Sequence, residues 1–311
     1  MKPINLIFDT DLGSDCDDVM ALTYLIYAKR QLNLNLLAIT HSHVTPDGPI
    51  AIRALFRTFG EDVPVVGRMV EDIPFPDRYA KVMADRFATE NDRLPCESAV
   101  TVMRRALATS NAPCVICGVG MFTNIAALLQ SPPDEISPLD GVALVKEKCE
   151  KIVLMAGTFR DRSDGSRSAE WNVKCDIPSA KAFAALCPVP NVFLPFEVGE
   201  SMRSGKPAIE KYADANPLTC AFIAFGSLNG RHSWDPATAV YAVEGVKDFL
   251  CESEAGDLSV TDDGATYLTP NPSGLTKILT LKPADGKSPQ DCKDAFASYI
   301  DACAEVVCSA M

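Results

Sequence analysis

The sequence predicts an α/β protein in which one doubly wound, mostly parallel sheet carries helices on both faces. Short apolar segments of strand length alternate along the chain with amphipathic segments of helical spacing, an order typical of a parallel sheet flanked by helices. A dense run of aspartates follows the first apolar segment, and ligands of such sheets bind beyond the carboxyl ends of the strands. We therefore expect a single domain over residues 1–311, with its active site at the C-terminal strand ends.

The predicted elements follow from these patterns in order. The strands cover residues 4–8, 35–39, 63–66, 113–117, 151–155 and 191–195. The clearest helical patterns cover residues 17–30, 48–60, 121–130 and 177–187, whereas 257–282 indicates short strands and turns and 291–308 a C-terminal amphipathic helix. Two long polar stretches, 69–95 and 157–170, interrupt the alternation, and loops of this length often cover functional sites.

The composition limits the class of partner. The 311-residue chain is 47% hydrophobic and carries a formal net charge of −12, so it can bury a large core but is poorly suited to bind nucleic acid or an anionic membrane surface. No apolar run reaches the roughly 18 residues of a membrane span, and the N-terminal apolar stretch is unlike a signal peptide because it leads directly into aspartates. We expect a soluble, cytoplasmic protein, and a homo-oligomer is compatible with this composition.

The twelve cysteines are scattered along the chain, a distribution that indicates reduced thiols rather than a disulfide framework. Cys114 and Cys117 form a CxxC pattern within a predicted strand, where alternation places the two sulfurs on opposite faces. We therefore expect both thiols to pack in the core. With only three histidines in the chain, a histidine-based zinc centre is disfavoured.

The run after the first strand contains five aspartates within ten residues, at positions 9, 11, 15, 17 and 18. A helix N-terminus favours one or two acidic side chains, but it does not account for five. So many carboxylates at one strand end would repel each other unless a cation held them together. Oxygen ligands of this kind suit Ca²⁺ or Mg²⁺, so the run predicts a metal site.

Two other uses of closely spaced aspartates are less consistent with the residues. An EF-hand loop counted from Asp9 requires Gly at its sixth position and Glu at its twelfth, where this chain has Ser14 and Met20. A haloacid-dehalogenase-type phosphatase would use Asp9 as nucleophile and Asp11 as acid/base, which leaves the other three aspartates without a role. The EF-hand is excluded, and the phosphatase remains a less favoured alternative.

Five further segments, taken together with the aspartate run, form a recognisable pattern. They are Phe-Thr-Asn-Ile-Ala at 122–126, Leu-Met-Ala-Gly at 154–157, Ala-Glu-Trp-Asn at 169–172, Phe-Glu-Val-Gly at 196–199 and Ser-Trp-Asp-Pro at 233–236. In this order they resemble the nucleoside hydrolases, the inosine–uridine-preferring family of N-ribohydrolases. Each segment alone is weak, but their shared order from residue 4 to about 245 is specific.

The resemblance implies one bound Ca²⁺ as cofactor. Its protein ligands would be the carboxylates of Asp11, Asp18 and Asp235 and the main-chain carbonyl of Thr123. The ion would lower the pKa of a water molecule, and Asp11 would take its proton as the catalytic base. The resulting nucleophile would attack C1′ of a small-molecule ribonucleoside as the N-glycosidic bond breaks, which releases the base and ribose.

The resemblance also implies where the substrate binds. Asp17, Glu170 and Asn172 would hold the ribose hydroxyls, and Met155 would line the same site. Trp234 stands where several pyrimidine-active members have a histidine that protonates the leaving base. Because a tryptophan can stack on a purine but cannot usefully donate a proton, we expect purine nucleosides to be preferred.

The chain departs from the family pattern in its first loop. The commoner family form is Asp-x-Asp-x-Gly-x-Asp-Asp, whereas this chain has two additional residues, either Asp15-Cys16 or Cys16-Asp17. Either Asp15 or Asp17 would therefore meet the ribose. His41 and His232 are the two candidates to replace the missing acid.

Functions of different classes remain open. The favoured one is a Ca²⁺-dependent, purine-leaning ribonucleoside hydrolase, and the alternative is a non-catalytic nucleoside- or ribose-binding protein that kept the metal pocket. Retention of Asp11 favours the enzyme, since a binding protein needs no base. Trp171, at a position where the family usually has phenylalanine, would either line the substrate site or pack in the core.

Overall fold

A computed structural model describes residues 3–70, 73, 75–283 and 285–311. Within these ranges the chain forms a ten-stranded sheet and a separate two-stranded sheet. The strands are β1 (Ile4–Thr10), β2 (Leu34–His41), β3 (Val66–Arg68), β4 (Cys114–Gly118), β5 (Cys149–Met155), β6 (Asn191–Leu194), β7 (Arg203–Ser204), β8 (Arg231–His232), β9 (Leu250–Glu252), β10 (Gly256–Val260), β11 (Thr266–Pro270) and β12 (Thr276–Leu281).

Helices connect most of these strands and cover both faces of the large sheet. They are α1 (Asp17–Gln31), α2 (Asp47–Thr58), α3 (Ala80–Phe87), α4 (Ala99–Thr109), α5 (Thr123–Gln130), α6 (Gly141–Lys148), α7 (Trp171–Cys175), α8 (Ile177–Leu186), α9 (Phe196–Gly199), α10 (Lys206–Tyr212), α11 (Pro217–Phe225), α12 (Trp234–Glu244) and α13 (Pro289–Cys308).

The order of the strands creates the place for a binding site. Seven strands are parallel in the order β3-β2-β1-β4-β5-β6-β12, while β9, β10 and β11 add antiparallel pairs around β12. The chain extends the sheet in one direction from β1 to β3 and then in the other direction from β4 onwards. In such a sheet a crevice opens between the two central strands at their carboxyl ends. The predicted fold class is confirmed.

Side chains alternate between the two faces of the central strands. In β1, Leu6 and Phe8 pack into the apolar cluster that includes α1, α12 and α13, whereas Ile7 packs into the cluster that includes α4, α5 and α8. Cys117 belongs to the first cluster and Cys114 to the second. Both thiols are buried, which confirms the core-packing interpretation of the CxxC pattern.

Two predicted segments differ from the observed elements. The strand predicted at 63–66 begins only at Val66, because Pro64 lacks the N–H that a sheet ladder needs. The stretch 69–95 contains helix α3 and a short 3₁₀ helix at Glu90–Arg93, so only part of it is loop. Residues 71, 72 and 74 of this stretch lie outside the described residues.

The C-terminal part of the chain agrees with the sequence pattern. The predicted short strands over 257–282 correspond to β10, β11 and β12, and the terminal helix extends over Pro289–Cys308. Ser288 caps this helix through a reciprocal hydrogen-bonded arrangement with Asp291. No helix in the described ranges is both long enough and apolar enough to cross a membrane.

Candidate active site

A cavity of about 460 Å³ opens beside β1, β4 and β5 at their carboxyl ends. This volume falls in the range of small-molecule sites. Its wall contains most of the site residues predicted from the sequence. These are Asp11, Asp17, Asp18, Met155, Glu170, Asn172, Trp234 and Asp235.

Three carboxylates converge at the base of this wall because two helices begin there. Asp17 and Asp18 start α1, and Asp235 lies in the first turn of α12. One oxygen atom from each of the three lies within 4.8 Å of the others. Helices α1 and α12 pack against each other, and the positive ends of their dipoles favour this concentration of negative charge.

The local contacts fix two of these carboxylates and leave one oxygen atom available. Asp17 Oδ2 accepts hydrogen bonds from the backbone N–H groups of Trp234 at 3.1 Å and Asp235 at 3.0 Å. Asp18 Oδ1 accepts from Thr10 Oγ1. Asp18 Oδ2 is buried and has no hydrogen-bond partner among the described residues, so it is the kind of atom that a cation would satisfy.

Burial and mutual repulsion make these charges costly. Burial raises the pKa of Asp11 to about 7, and the charge of Asp15 adds to the effect. Burial also raises the pKa of Asp17, Asp18 and Asp235 well above its ordinary value, with further increases from the neighbouring carboxylates. A divalent cation with oxygen ligands would offset this repulsion, so the donor set fits Ca²⁺.

The convergent set differs from the predicted ligand set. The structure groups Asp17, rather than Asp11, with Asp18 and Asp235, because Asp17 shares the first turn of α1 with Asp18. Asp11 lines the same cavity from the loop after β1. Thr123 is buried at the start of α5, where its hydroxyl donates to Asp176 Oδ2 at 2.5 Å, and it does not line the cavity.

Asp9 has a structural environment rather than a catalytic one. It is fully buried, and its Oδ1 accepts hydrogen bonds from Thr40 Oγ1 at 2.5 Å and Asn124 Nδ2 at 2.7 Å. These contacts join β1 to β2 and α5. Because Asp9 does not line the cavity, it is not placed to act as the nucleophile of a phosphatase.

The two polar residues of the 169–172 segment are held rigidly on the cavity wall. Glu170 caps α7 and accepts from the N–H groups of Gly157 at 3.0 Å and Asn172 at 2.9 Å. Burial raises its pKa, although these hydrogen bonds oppose the increase. Asn172 Nδ2 donates to the carbonyls of Val119 at 2.9 Å and Met155 at 3.0 Å, which fixes the orientation of its side-chain amide.

Aromatic side chains form another part of the wall. The Trp234 indole donates to the Phe196 carbonyl at 2.9 Å, and its ring stacks on Phe196 with centroids 5.4 Å apart. Trp171 is 52% exposed and contacts Phe75 with ring centroids 5.9 Å apart. Core packing of Trp171 was therefore the wrong alternative. Phe75 was not predicted, and it lies within the polar stretch 69–95.

Neither candidate histidine lines the cavity. His41 is fully buried, its Nε2 lies 2.8 Å from the Leu12 carbonyl, and burial lowers its pKa to about 4. His232 contacts Arg203 Nη1 through Nε2 at 2.9 Å and the Glu200 carbonyl through Nδ1 at 2.6 Å. Both imidazole rings are thus engaged in contacts with residues outside the cavity, which argues against either histidine as the leaving-group acid.

Two arginines on the cavity wall were missed. Arg231 forms a bidentate ion pair with Asp15, in which Nε lies 2.8 Å from Oδ1. Its guanidinium also lies 5.1 Å from the centre of the Trp234 ring. Arg78 lies 3.9 Å from the centre of the Phe225 ring. The position of Arg231, four residues before Asp235, was the one signal in the sequence that could have identified it.

Comparisons with known proteins agree with this architecture. The family model described as inosine-uridine preferring nucleoside hydrolase matches residues 6–287. A pyrimidine-specific ribonucleoside hydrolase RihA from Salmonella schwarzengrund (strain CVM19633) is 26% identical over 224 residues, covering 69% of this chain and 67% of the relative. The RihA of Citrobacter koseri is 25% identical over the same length and with the same coverage.

Solved structures extend the likeness in fold. The inosine-uridine preferring nucleoside hydrolase from Bacillus anthracis superposes with a TM-score of 0.72 at 18% identity, covering 97% of this chain and 99% of the other. The purine-preferring ribonucleoside hydrolase from Gardnerella vaginalis gives a TM-score of 0.68 at 19% identity, with the same coverage. At these identities the likeness establishes the fold, not the substrate.

Proposed function

The chain belongs to the inosine-uridine preferring nucleoside hydrolase family and is a ribonucleoside N-ribohydrolase; we propose that it requires Ca²⁺ and favours purine nucleosides. The observation that carries the metal proposal is the convergence of Asp17, Asp18 and Asp235, with Asp18 Oδ2 left without a partner among the described residues. A divalent cation bound there would offset the repulsion between these buried carboxylates and would satisfy the unpartnered oxygen atom.

Within this proposal, Asp18 and Asp235 would hold the ion together with Asp11, which lines the same cavity. The Thr123 carbonyl, the fourth ligand that the resemblance implies, belongs to a residue that does not line the cavity. When bound, Ca²⁺ would lower the pKa of a water molecule and attract the ribose hydroxyls. Asp17 lies in the same acidic group but is committed to the N-terminus of α12 through two backbone hydrogen bonds. We therefore assign Asp17 to positioning α12 and contacting a ribose hydroxyl with its second oxygen atom.

The chain's own residues supply the remaining chemistry. The Asp11 carboxylate accepts a proton from water, whose oxygen attacks C1′ while the electron pair of the C1′–N bond moves to the base. Glu170 and Asn172 hold the sugar, and their existing hydrogen bonds mean that little reorganisation is needed when it binds. Because Asn172 Nδ2 is occupied by two carbonyls, Oδ1 is its atom for a ribose hydroxyl.

The preference for purines is supported by the aromatic wall. Trp171, which is 52% exposed, and the partly buried Phe75 both line the cavity, and neither His41 nor His232 lines it to protonate a pyrimidine. Stacking on a nucleobase contributes roughly 1–3 kcal/mol, and a two-ring base offers more contact area. The RihA relatives are described as pyrimidine-specific, whereas the Gardnerella vaginalis enzyme is purine-preferring, so relatedness alone does not decide the preference.

A screen for free ribose tests these proposals together. Inosine, adenosine, uridine and cytidine would be incubated with enzyme as purified, after chelation, and after readdition of Ca²⁺. We expect chelation to abolish turnover, Ca²⁺ to restore it, and kcat/KM to be higher for inosine than for uridine. Full activity of the metal-free enzyme would refute the calcium requirement, and a higher kcat/KM for uridine would refute the purine preference.

The same samples distinguish the hydrolase from the two alternative functions, a nucleoside-binding protein and a phosphatase. Nucleoside binding by calorimetry without any release of ribose would favour the binding-protein interpretation. Phosphate release from phosphomonoesters, together with an aspartyl phosphate on Asp9, would favour the phosphatase. The buried position of Asp9 argues against this last outcome.

A further inference from the structure

Arg231 occupies a position on the cavity wall that the proposed mechanism has not used. It lies on β8, immediately before the segment that supplies Trp234 and Asp235, and it lines the cavity beside Asp15 and Asp17. Its Nε and Nη2 both donate to the Asp15 carboxylate. Nη1 has no hydrogen-bond partner among the described residues, so this edge of the guanidinium is free to contact a ligand.

Asp15 is itself well fixed, which makes the arginine a preorganised group. Its carbonyl accepts from Tyr79 Oη at 2.6 Å, and its Oδ1 accepts from the N–H of Cys16 at 2.7 Å. The bidentate pairing with Asp15 determines the plane of the Arg231 guanidinium. Stacking near the rings of Trp234 and Phe225, at 5.1 and 5.3 Å, limits its remaining movement.

The reaction creates a need for positive charge on the base side of the cavity. When the C1′–N bond breaks, its electron pair moves to the base, and no histidine in the described ranges lines the cavity to protonate it. Of the residues that the structure describes, Arg231 and Arg78 are the cationic ones on the wall. Only Arg231 is tied to a carboxylate that orients it, whereas Arg78 is exposed and lies over Phe225 without a carboxylate partner among the described residues.

We propose that Arg231, oriented by Asp15, contacts the departing base through Nη1 and stabilises the negative charge that develops on it. This inference rests on the proposed hydrolase function. The water oxygen bonds to C1′, the water proton passes to Asp11, and the electron pair of the broken bond remains on the base nitrogen, which then takes a proton from solvent. Arg231 keeps all its protons throughout, since a guanidinium does not act as an acid near neutral pH.

The Asp15–Arg231 pair thus gives the additional residues of the first loop a role. Asp15 is positioned ahead of α1 and reaches across to β8, while Asp17 and Asp18 remain at the start of the helix. Trp234 stands where several family members have a histidine that protonates the leaving base. In this chain the fixed guanidinium of Arg231 takes over the task of assisting base departure. Asp15 is then a positioning residue, and Arg231 is the catalytic residue.

The test compares two leaving groups that differ in how much stabilisation they require as the bond to C1′ breaks. Natural nucleosides require help with base departure, whereas p-nitrophenyl β-D-ribofuranoside releases a stable anion that needs little. We expect Arg231→Gln to lower kcat for inosine by about 10²–10³-fold, the usual cost of removing one preorganised charge-stabilising donor. The rate with p-nitrophenyl riboside should stay near that of the wild type. Arg105→Gln, the matched control at an exposed position outside the cavity wall, should leave both rates nearly unchanged. Arg78→Gln should show no loss that is specific to inosine.

Two further variants address folding and positioning. Arg231→Lys retains the charge but cannot reproduce the bidentate pairing with Asp15. Its rate with inosine should therefore lie between those of Arg231→Gln and the wild type. Asp15→Asn should lower kcat for inosine with little change in KM, and again spare p-nitrophenyl riboside. Thermal unfolding and Ca²⁺ binding of each variant should match the wild type.

The outcomes separate this inference from the proposed function. Equal losses with inosine and p-nitrophenyl riboside would show a structural role for Arg231, and no loss with either would show no role in base departure; both results overturn the inference alone. A larger inosine-specific loss in Arg78→Gln would transfer the role to Arg78 and also overturn it. A wild-type enzyme that releases ribose from no riboside would overturn the proposed function, and this inference with it.

Discussion

The position of Asp11 depends on the absence of a side chain at Gly120. A Cβ atom on Gly120 would lie 2.8 Å from the backbone nitrogen of Asp11 and 2.9 Å from its Cβ, distances that real Cβ atoms essentially never show. The loop after β4 can therefore approach the loop after β1 this closely only with glycine. This packing sets where the Asp11 carboxylate enters the cavity.

We predict that Gly120→Ala displaces Asp11 without unfolding the protein. A shift of about 1 Å in a reacting group costs roughly 10²-fold in rate, so kcat should fall by that order and Ca²⁺ should bind more weakly. Steady-state kinetics and calcium titration measure the two effects, with circular dichroism as the check on folding. Wild-type kinetics in this variant would mean that the loop relaxes and that the close approach has no functional consequence.

A second prediction at the scale of single residues concerns Asp11, the proposed catalytic base. Asp11→Asn keeps the shape of the side chain but removes its capacity to accept a proton, and a general base contributes typically 10²–10⁴-fold. We expect kcat for ribose release to fall by about this factor, while nucleoside binding measured by calorimetry persists. Asp262→Asn, whose side chain is 97% exposed, serves as the control. An Asp11→Asn enzyme with near wild-type turnover would remove Asp11 from the mechanism.

At the scale of elements, helix α13 is joined to the start of α10 by one half-buried carboxyl group. Asp301 Oδ1 accepts a hydrogen bond from the N–H of Gly205 at 2.6 Å. Burial raises the pKa of Asp301 from 3.8 to about 6, although this hydrogen bond opposes the increase. The folded state therefore binds a proton more tightly than the unfolded state between these pH values, and stability falls as the pH rises from about 4 to about 6.

We predict that Asp301→Asn removes this loss. The amide oxygen of asparagine can still accept from Gly205, but the side chain never becomes charged. The variant should match the wild type in urea unfolding at pH 4 and be more stable than it at pH 8. Activity at pH 8 should be unchanged because Asp301 does not line the cavity. A wild type that remained more stable than the variant at pH 8 would contradict the proposed cost of the Asp301 charge.

The comparison of elements also shows what a sequence can predict. The central strands and α1 were predictable because their apolar residues repeat at fixed local spacing, and the aspartate run was conspicuous because its members are neighbours. The pairing of Asp15 with Arg231 joins residues 216 positions apart. No local pattern encodes that contact, which exists only after the loops of β1 and β8 meet at the cavity.

Loop structure was the least predictable part for the same reason. Phe75 stands in a polar stretch and gains its place at the cavity from contact with Trp171, which lies 96 positions away in another loop. The antiparallel strands β9 to β11 depend on pairings with β12 and with each other, rather than on strong apolar runs of their own. The presence of β10 and β11, though not their order in the sheet, was indicated by the short strands predicted over 257–282, whereas β9 was not predicted.

At the scale of the whole molecule, a small part of the acidity is buried at one site, where ionised carboxylates are least favourable. The chain carries a net charge of −12, and four of its aspartates are buried together on the wall of one cavity. The helices that begin there, α1 and α12, also form part of the larger apolar cluster. Repulsion at the site is therefore transmitted to the elements that hold the fold together, so the metal should matter for stability as well as for catalysis.

The last prediction follows from this coupling. A ligand that binds only the folded state stabilises it by about 2.7 kcal/mol when its concentration is 100 times its dissociation constant. Saturating Ca²⁺ should therefore raise the unfolding temperature of the chelated wild type, and Mg²⁺ should do so less because it tolerates mixed carboxylate sites poorly. Asp235→Ala should lose the response to Ca²⁺, since it removes one of the three converging carboxylates, whereas Asp262→Ala should keep it. A wild-type melting curve that Ca²⁺ does not shift would mean that the acidic group is not a calcium site.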